Sequence, residues 1–397
     1  MKNPRLKDHR QIGRDLDLFS FHQYAPGAVF WHPKGWLIYQ ILQNFIREKT
    51  AHDNYQEIST PVMVKSQLFK KSGHWQHFGE NIFTLNVDGE NYSLKPMNCP
   101  ESTIVYSSKI RSYHDLPIKL SEFGILHRKE LSGVLGGTLR VRQFVIDDAH
   151  LFVRTDQIQQ EIRKLIDLTC DVYKVLDFKP KFYLATRPDK AMGDKKTWDK
   201  AEHDLQEALT KAKVHFQLKP KDGAFYGPKI DIHIEDSQKR DWQLATIQLD
   251  FQIPQSMNLG FINKKGQKEK PVMIHRGIFG SIERFIGILL EHTQGNLPTW
   301  LAPIQAIILP ITDKHLSYAQ EISSQLIKDG IRLILDSRNE TLQAKIRDAA
   351  LQKIPYQLII GDEEIKDKKI AVRTAKNKDL GKKNVSDIIC LIQKNIA

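Results

Sequence analysis

The residues best suited to chemistry lie in Phe123-Gly-Ile-Leu-His-Arg-Lys-Glu130 and, after a Gly-rich turn, in Leu139-Arg-Val-Arg-Gln-Phe-Val-Ile-Asp-Asp-Ala-His150. The pattern predicts two antiparallel strands joined by a charged loop. On the return strand, the two-residue side-chain period puts Arg140, Phe144, Ile146, Asp148 and His150 on one face. A guanidinium, an aromatic platform, a carboxylate and an imidazole on one surface suit a site that takes a polyphosphate, a purine ring and a small polar ligand together. Arginine meets phosphate bidentately and also stacks on aromatic planes. Singly, each residue also fits a half-exposed strand laced with salt bridges; the conjunction points to a site.

These strands must be held by a sizeable framework. At 397 residues the chain exceeds what one core organises, so two or more domains are expected. Its 41% hydrophobic and 27% charged residues are those of an ordinary globular protein. No apolar run approaches the roughly 18 residues that span a bilayer, and the first ten residues lack an apolar signal segment, so a cytoplasmic protein with no membrane partner is expected. The three cysteines, Cys99, Cys170 and Cys390, are too dispersed for a disulfide framework. A net charge of +12 implies an anionic partner larger than a metabolite, with RNA, DNA and anionic membrane as candidates. Lysines spread over the whole chain fit a structured nucleic acid better than a membrane-binding helix, whose charges would share one face. A generally Lys-rich composition is the bland alternative.

Apolar spacing predicts a helix over 33–50, followed by an extended run over 55–63 in which Pro61 requires an edge or interface position. Further strands are expected over 82–87, 90–94, 119–128, 139–153, 226–234, 241–251 and 271–275. Helices are expected over 157–175 and 197–212, with another opening at Gly280-Ser281. This is an α+β layout built on a mainly antiparallel sheet. The prolines of Asn296-Leu-Pro-Thr-Trp-Leu-Ala-Pro303 mark a boundary, giving domains 1–298 and 302–397. Beyond it, strands over 304–311, 331–335 and 356–360 alternate with helices over 315–328 and 341–353, the pattern of an α/β module with a largely parallel sheet. From Leu301 to Ala397 there are 16 Lys and Arg against 12 Asp and Glu, a net +4.

The strand–loop–strand with Arg128 and Glu130, the helix and strand ending at Pro61, and the later Gly280-Ser-Ile-Glu-Arg284 together resemble the three signature motifs of class II aminoacyl-tRNA synthetases. Pro96-Met-Asn-Cys-Pro100, Arg140-Val-Arg, Asp147-Asp-Ala-His-Leu-Phe152, Ala224-Phe-Tyr-Gly-Pro-Lys-Ile230 and Val272-Met-Ile-His-Arg276 narrow the resemblance to the threonyl-tRNA synthetase family. It covers nearly the whole chain and implies an antiparallel class II sheet with flanking helices, followed by an anticodon-binding domain. The implied activity is two-step, with threonine and ATP giving threonyl-adenylate before transfer to the terminal ribose of tRNA(Thr). The implied partners are L-threonine, ATP with Mg2+, tRNA(Thr) and a second copy in a homodimer through the region near Pro61.

Residue by residue, the resemblance implies a zinc ion on Cys99, His150 and His275; without it, a cysteine and two histidines so far apart are a weak metal signal. Three protein ligands leave an open position, as in a zinc that binds something else. Coordination of a hydroxyl would reject valine, which an apolar pocket alone does poorly. Arg128 and Arg284 are implied in catalysis, on the α-phosphate with the amino-acid carboxylate and on the γ-phosphate. Glu130 is implied on the adenine amino group and Phe144 on its ring, with Arg140, Gln243, Thr246 and Ser281 also in the ATP site. Asp148, Tyr226 and Gln248 are implied around threonine, together with Met97 and Lys229. Asn339, Glu364 and Arg373 stand at anticodon-contacting positions, though each alone resembles an ordinary surface residue. Two departures stand out: Ile146, where bacterial-type members generally place glutamine, and the Gly136-Gly137 pair. Serine differs from threonine by one methyl, so its misactivation is expected; because the chain opens almost directly on the catalytic region, no editing in cis is expected. A non-catalytic RNA-binding paralogue and a prolyl or seryl enzyme are the alternatives.

Overall fold

The structure is a computed structural model that describes residues 6–394. Its described residues fall into two compact units, one formed by Phe21–Val29 and Gln43–Gly287 and the other by the remainder. The strands that matter in the first unit are, in chain order, β1 (Tyr55–Glu57), β2 (Ile118–Glu122), β3 (Ile125–His127), β4 (Gln143–Val153), β5 (Pro180–Ala185), β6 (Phe216–Lys219), β7 (Lys229–Glu235), β8 (Asp241–Asp250) and β9 (Val272–Ser281). They form one nine-stranded sheet in the order β6-β5-β7-β8-β9-β4-β2-β1, with β3 paired to β4. All pairs are antiparallel except β5 with β6 and β1 with β2. The helix α1 (Pro33–Thr50) has the expected bounds, while α2 (Cys99–Ser107) was not expected.

One face of this sheet is closed by α3 (Ile158–Val175), whose Ile162, Leu165, Ile166, Val172 and Tyr173 are buried. Each such side chain contributes about 1.5–3 kcal/mol on burial. Tyr173 also donates its hydroxyl hydrogen to the Ile278 carbonyl at 2.7 Å, which ties the helix to β9. A second helix, α4 (Lys195–Lys211), buries Trp198, Ala201, Leu205, Ala208 and Leu209. The opposite face carries the polar side chains described below.

Two expectations need correction. Arg140 is not on a strand: β4 begins at Gln143, and residues 136–140 form a turn closed by Gly136 N–H to Arg140 O at 3.1 Å and Leu139 N–H to Gly136 O at 3.0 Å. Turn chemistry overrides the alternating pattern there, whereas Phe144, Ile146, Asp148 and His150 do alternate along β4. The single strand expected over 119–128 is broken into β2 and β3 at Phe123-Gly124. A Cβ on Gly124 would fall 2.0 Å from Asn98 Oδ1, so the break makes room for a side chain of the site.

The other unit contains β10 (Ala306–Pro310), β11 (Leu333–Leu335), β12 (Tyr356–Ile360), β13 (Ile370–Thr374) and β14 (Asp379–Lys383) in the order β11-β10-β12-β13-β14. The β10, β11 and β12 pairings are parallel; β13 and β14 are antiparallel additions that the expectation of a largely parallel sheet omitted. Ile308, Leu358, Ile360 and Val372 face α6 (Leu316–Lys328), whereas Ile307, Leu309 and Ile359 face α7 (Leu342–Leu351). Helices on both faces require apolar residues at consecutive positions, which is why these strands read as continuous apolar runs. Among the described residues no helix is long and apolar enough to cross a membrane.

Candidate active site

Pairing of β4 with β9 sets His150 opposite His275, and pairing of β9 with β8 sets His275 opposite Gln248. Cys99 arrives from the first turn of α2, which Pro100 starts because its missing N–H is not needed there. The ligand atoms of Cys99, His150 and His275 lie within 4.8 Å of one another, and these residues are 3%, 2% and 5% exposed. One tetrahedral ion with bonds of about 2.0–2.3 Å can be reached by such a trio after small adjustments.

The surroundings favour the metal-binding forms. Asp250 Oδ2 sits 2.9 Å from His275 Nε2, which holds the proton there and leaves Nδ1 as the lone-pair donor. Burial, with the His275 ring and the Arg276 charge nearby, lowers the His150 pKa well below the ordinary imidazole range, so this ring is neutral. Burial pushes the Cys99 thiol well up in the absence of a cation, and a coordinating metal would deprotonate it outright. His74 Nε2 lies 3.2 Å from Cys99 Sγ, and its other ring nitrogen lies 2.9 Å from Ser72 Oγ.

Asp148 faces this trio, with Asn98 Nδ2 donating to its Oδ2 at 3.2 Å; burial raises its carboxyl pKa, opposed by His275. The Tyr226 hydroxyl donates to Gln248, whose amide in turn donates to Thr246 Oγ1 at 3.0 Å. The Tyr226 ring stacks on His275 at 4.8 Å, and Met97 packs against the buried cluster containing Cys99 and Tyr226. Lys229 and Gln243 meet on the fully buried Asp231, at 2.8 and 2.7 Å.

On the same unit a cavity of about 430 Å³ is lined by Arg128, Glu130, Arg140, Phe144, Trp242, Ser281 and Arg284. That volume accommodates a nucleotide-sized ligand. The Arg128 guanidinium lies between the rings of Phe78 and Phe144, at 5.2 and 5.0 Å. Burial lowers its pKa from the ordinary guanidinium value, opposed by the Glu130 carboxylate on the same cavity wall. Arg284 stands over Trp242 at 5.4 Å, and its buried Nε has no hydrogen-bond partner among the described residues. An unmet buried donor costs about 1–3 kcal/mol, which an anionic ligand would recover. Arg140 pairs with Glu130 at 2.8 Å. Gly280, next to last in β9, has φ 66°, and a Cβ there would meet the Leu244 carbonyl at 2.9 Å; after Ser281 the chain turns into α5 (Ile282–Thr293), aiming Arg284 at the cavity.

Residues 83–293 match the family described as tRNA synthetase class II core domain (G, H, P, S and T), and residues 305–395 match the one described as anticodon binding domain. A crystal structure titled as the RNA binding domain of threonyl-tRNA synthetase from Cryptosporidium parvum Iowa II superposes with a TM-score of 0.94 at 40% identity, covering 98% of each chain. The chain belongs to the threonyl-tRNA synthetase family. Other family members are a threonine–tRNA ligase of Caldanaerobacter subterraneus subsp. tengcongensis, 48% identical over 397 residues, and one of Alkalilimnicola ehrlichii, 48% identical over 392. The chain spans 62% and 61% of the lengths of these two relatives, which cover 100% and 98% of it.

Within this threonyl-tRNA synthetase family fold, the C-terminal candidates are dispersed. Asn339 is exposed on the segment between β11 and α7, and Arg373 is half-buried on β13 opposite Gln357. Glu364 is 7% exposed, and its Oε2 accepts the Gly361 N–H at 3.0 Å, capping the helix Asp362–Asp367. The residues that sequence reading passed over are His74, Phe78, Asn98, Asp231, Asp250 and Trp242. Each touches a named site residue from a segment remote in sequence, and no local spacing announces it. Two had a visible signal: Trp242, an aromatic beside Gln243 at the start of a polar strand, and Asn98, which lies between Met97 and Cys99.

Proposed function

We propose that the chain carries the catalytic and anticodon-binding portions of a threonine–tRNA ligase, with domains 1–298 and 302–397. The observation that carries this reading is the convergence of Cys99, His150 and His275 beside a cavity lined by Arg128 and Arg284. In the first step the threonine carboxylate attacks the α-phosphate of ATP, which enters with Mg2+, and the bond to pyrophosphate breaks. Little proton transfer is needed, so positioning and charge stabilisation dominate. Arg128 holds the α-phosphate and the carboxylate, while Arg284 holds the γ-phosphate with the donor it leaves unpaired. Phe144, with Arg128 on one side of its ring, offers the adenine a stacking surface, and Glu130 accepts from the adenine amino group on exchanging its partner Arg140. Gln243, Thr246 and Ser281 complete the nucleotide contacts.

Zinc held by Cys99, His150 and His275 would supply Lewis-acid coordination of the threonine amino and hydroxyl groups, which valine cannot match. Asp148 accepts a hydrogen bond from the same hydroxyl, and Met97, Tyr226, Lys229 and Gln248 shape the pocket. Ile146 presents an apolar side chain beside Asp148, which lowers the polarity of that wall. In the second step the terminal ribose hydroxyl of tRNA(Thr) attacks the acyl carbon and AMP leaves. Asn339, Glu364 and Arg373 read anticodon bases, and the dispersed lysines add sequence-independent affinity. A homodimer forms through the region near Pro61, and the protein works in the cytoplasm.

Pyrophosphate exchange with threonine, serine, proline and valine, each with and without a zinc chelator, tests this. Threonine-dependent exchange that the chelator abolishes is expected, with a weaker serine signal and none with valine or proline. Exchange with no amino acid would leave a non-catalytic RNA-binding paralogue.

A further inference from the structure

Lys345 lies in α7 of the C-terminal module and is 4% exposed. Its Nζ donates to two main-chain carbonyls, Pro310 O and Asp336 O, each at 3.2 Å. A buried ammonium held by neutral carbonyls stabilises a core less than apolar packing would, so the geometry it enforces is the informative quantity. Pro310 is the last residue of β10, and Asp336 directly follows β11. The strand order β11-β10-β12 reverses direction at β10, and open sheets of this kind take ligands outside the carboxyl ends of their strands at such a point.

The two carbonyls fix the start of the segment 336–341. The Asp336 N–H donates to Ile308 O at 3.0 Å, and its carboxylate accepts from Arg338 N and Nε at 3.1 and 2.9 Å. Arg338 reaches on to Asp348 of α7 at 3.1 Å. At the far end Thr341 caps α7 by accepting the Ala344 N–H at 3.3 Å. Between these anchors Asn339 is left exposed.

We propose that Lys345 is a positioning residue for RNA recognition. Resting on the anticodon reading above, it sets the height and tilt of segment 336–340 so that the Asn339 amide meets the edge of an unpaired base. The ammonium does not touch RNA; it acts through the carbonyls of Pro310 and Asp336.

The test uses the full chain and two labelled RNAs: the tRNA(Thr) anticodon stem-loop and the same stem-loop with one anticodon base replaced. Lys345→Met keeps the aliphatic stem and removes the donors. The preference for the matched loop should narrow by about five- to tenfold, with affinity for the replaced loop changed less than about twofold. Threonine-dependent pyrophosphate exchange should be unchanged, and Lys345→Arg should restore the preference. A folded Met variant with the wild-type preference, or one losing affinity for both loops equally, overturns the proposal. Absence of any preference in the unaltered chain overturns the anticodon reading and this role with it, a result distinct from a preference that survives the substitution. Should the Met variant fail to fold by circular dichroism, Lys345→Gln, which keeps an N–H donor pair on a shorter stem, replaces it. The same narrowing is expected, and an unchanged ratio again counts against the role.

Discussion

Around the nine-stranded sheet the side chains proposed to hold zinc are buried and wired to their neighbours, while Arg128 and Arg284 stand half-buried at the cavity. Cys99, His150 and His275 are closed in, Asp250 orients one ring, His74 touches the sulfur, and Asn98 holds Asp148. In the five-stranded sheet the proposed RNA contacts rest on an apolar scaffold. Asn339 is exposed, Arg373 is half-buried, and only Glu364 is enclosed, as a helix cap. The difference follows from what each must bind. A metal and a reacting phosphate need fixed dipoles in a dry site, because charge stabilisation weakens steeply in water. An unpaired base is read by side chains that stay hydrated until the partner arrives. Substitutions in the first region should therefore be severe and coupled, and those in the second mild and separable.

The largest expected effect is Arg128→Ala, which should lower threonine-dependent exchange by about 10²–10³-fold in kcat, since one preorganised charge contact is lost. A fall under tenfold would mean that the buried network is not the seat of catalysis. Next comes Asp250→Asn, which touches no substrate in this reading but should weaken zinc binding by about 10–100-fold, as measured by chelator competition. Unaltered zinc affinity would show that His275 does not need its carboxylate partner. For the C-terminal module, Arg373→Ala should raise the KM for tRNA by about five- to tenfold, with exchange unaffected. Equal effects on both assays would erase the contrast between the regions.

The smallest effect concerns Asp336, whose carboxyl is held below the usual range by hydrogen bonds from Arg338. Because its pKa is depressed on folding, its stabilisation is complete above the unfolded value near 3.9 and fades as pH falls through the lower folded value. Asp336→Asn should then lower the Tm by about 1–3 °C at pH 7, because the partner is largely solvated, and by less as pH approaches 3. A gap that widened on acidification would reverse the assigned sign.

Much of this was legible from one-dimensional patterns. The helix Pro33–Thr50 and the strand Tyr356–Ile360 have their expected bounds, because a 3.6-residue apolar stripe and a short apolar run bracketed by turn residues leave few alternatives. Errors cluster where local geometry overrides pattern. Arg140 falls in a turn, Gly124 interrupts a strand to admit Asn98, and β9 runs on to Ser281 through a bulge that the short apolar run Val272-Met-Ile gave no reason to expect.

Chain chemistry by itself determined that an aromatic, a carboxylate and an imidazole share one face of a strand, that the pattern changes to an alternating α/β one after the prolines near residue 300, and that a large anionic partner suits the charge. Those properties depend on residue type and near-neighbour spacing, which a linear order contains. Only tertiary structure decided that Cys99 meets two histidines on other strands, that Asp231 joins Lys229 to Gln243, and that Lys345 grips the ends of two strands. Such meetings depend on strand register and on where helices land across a sheet, distances that sequence separation does not encode.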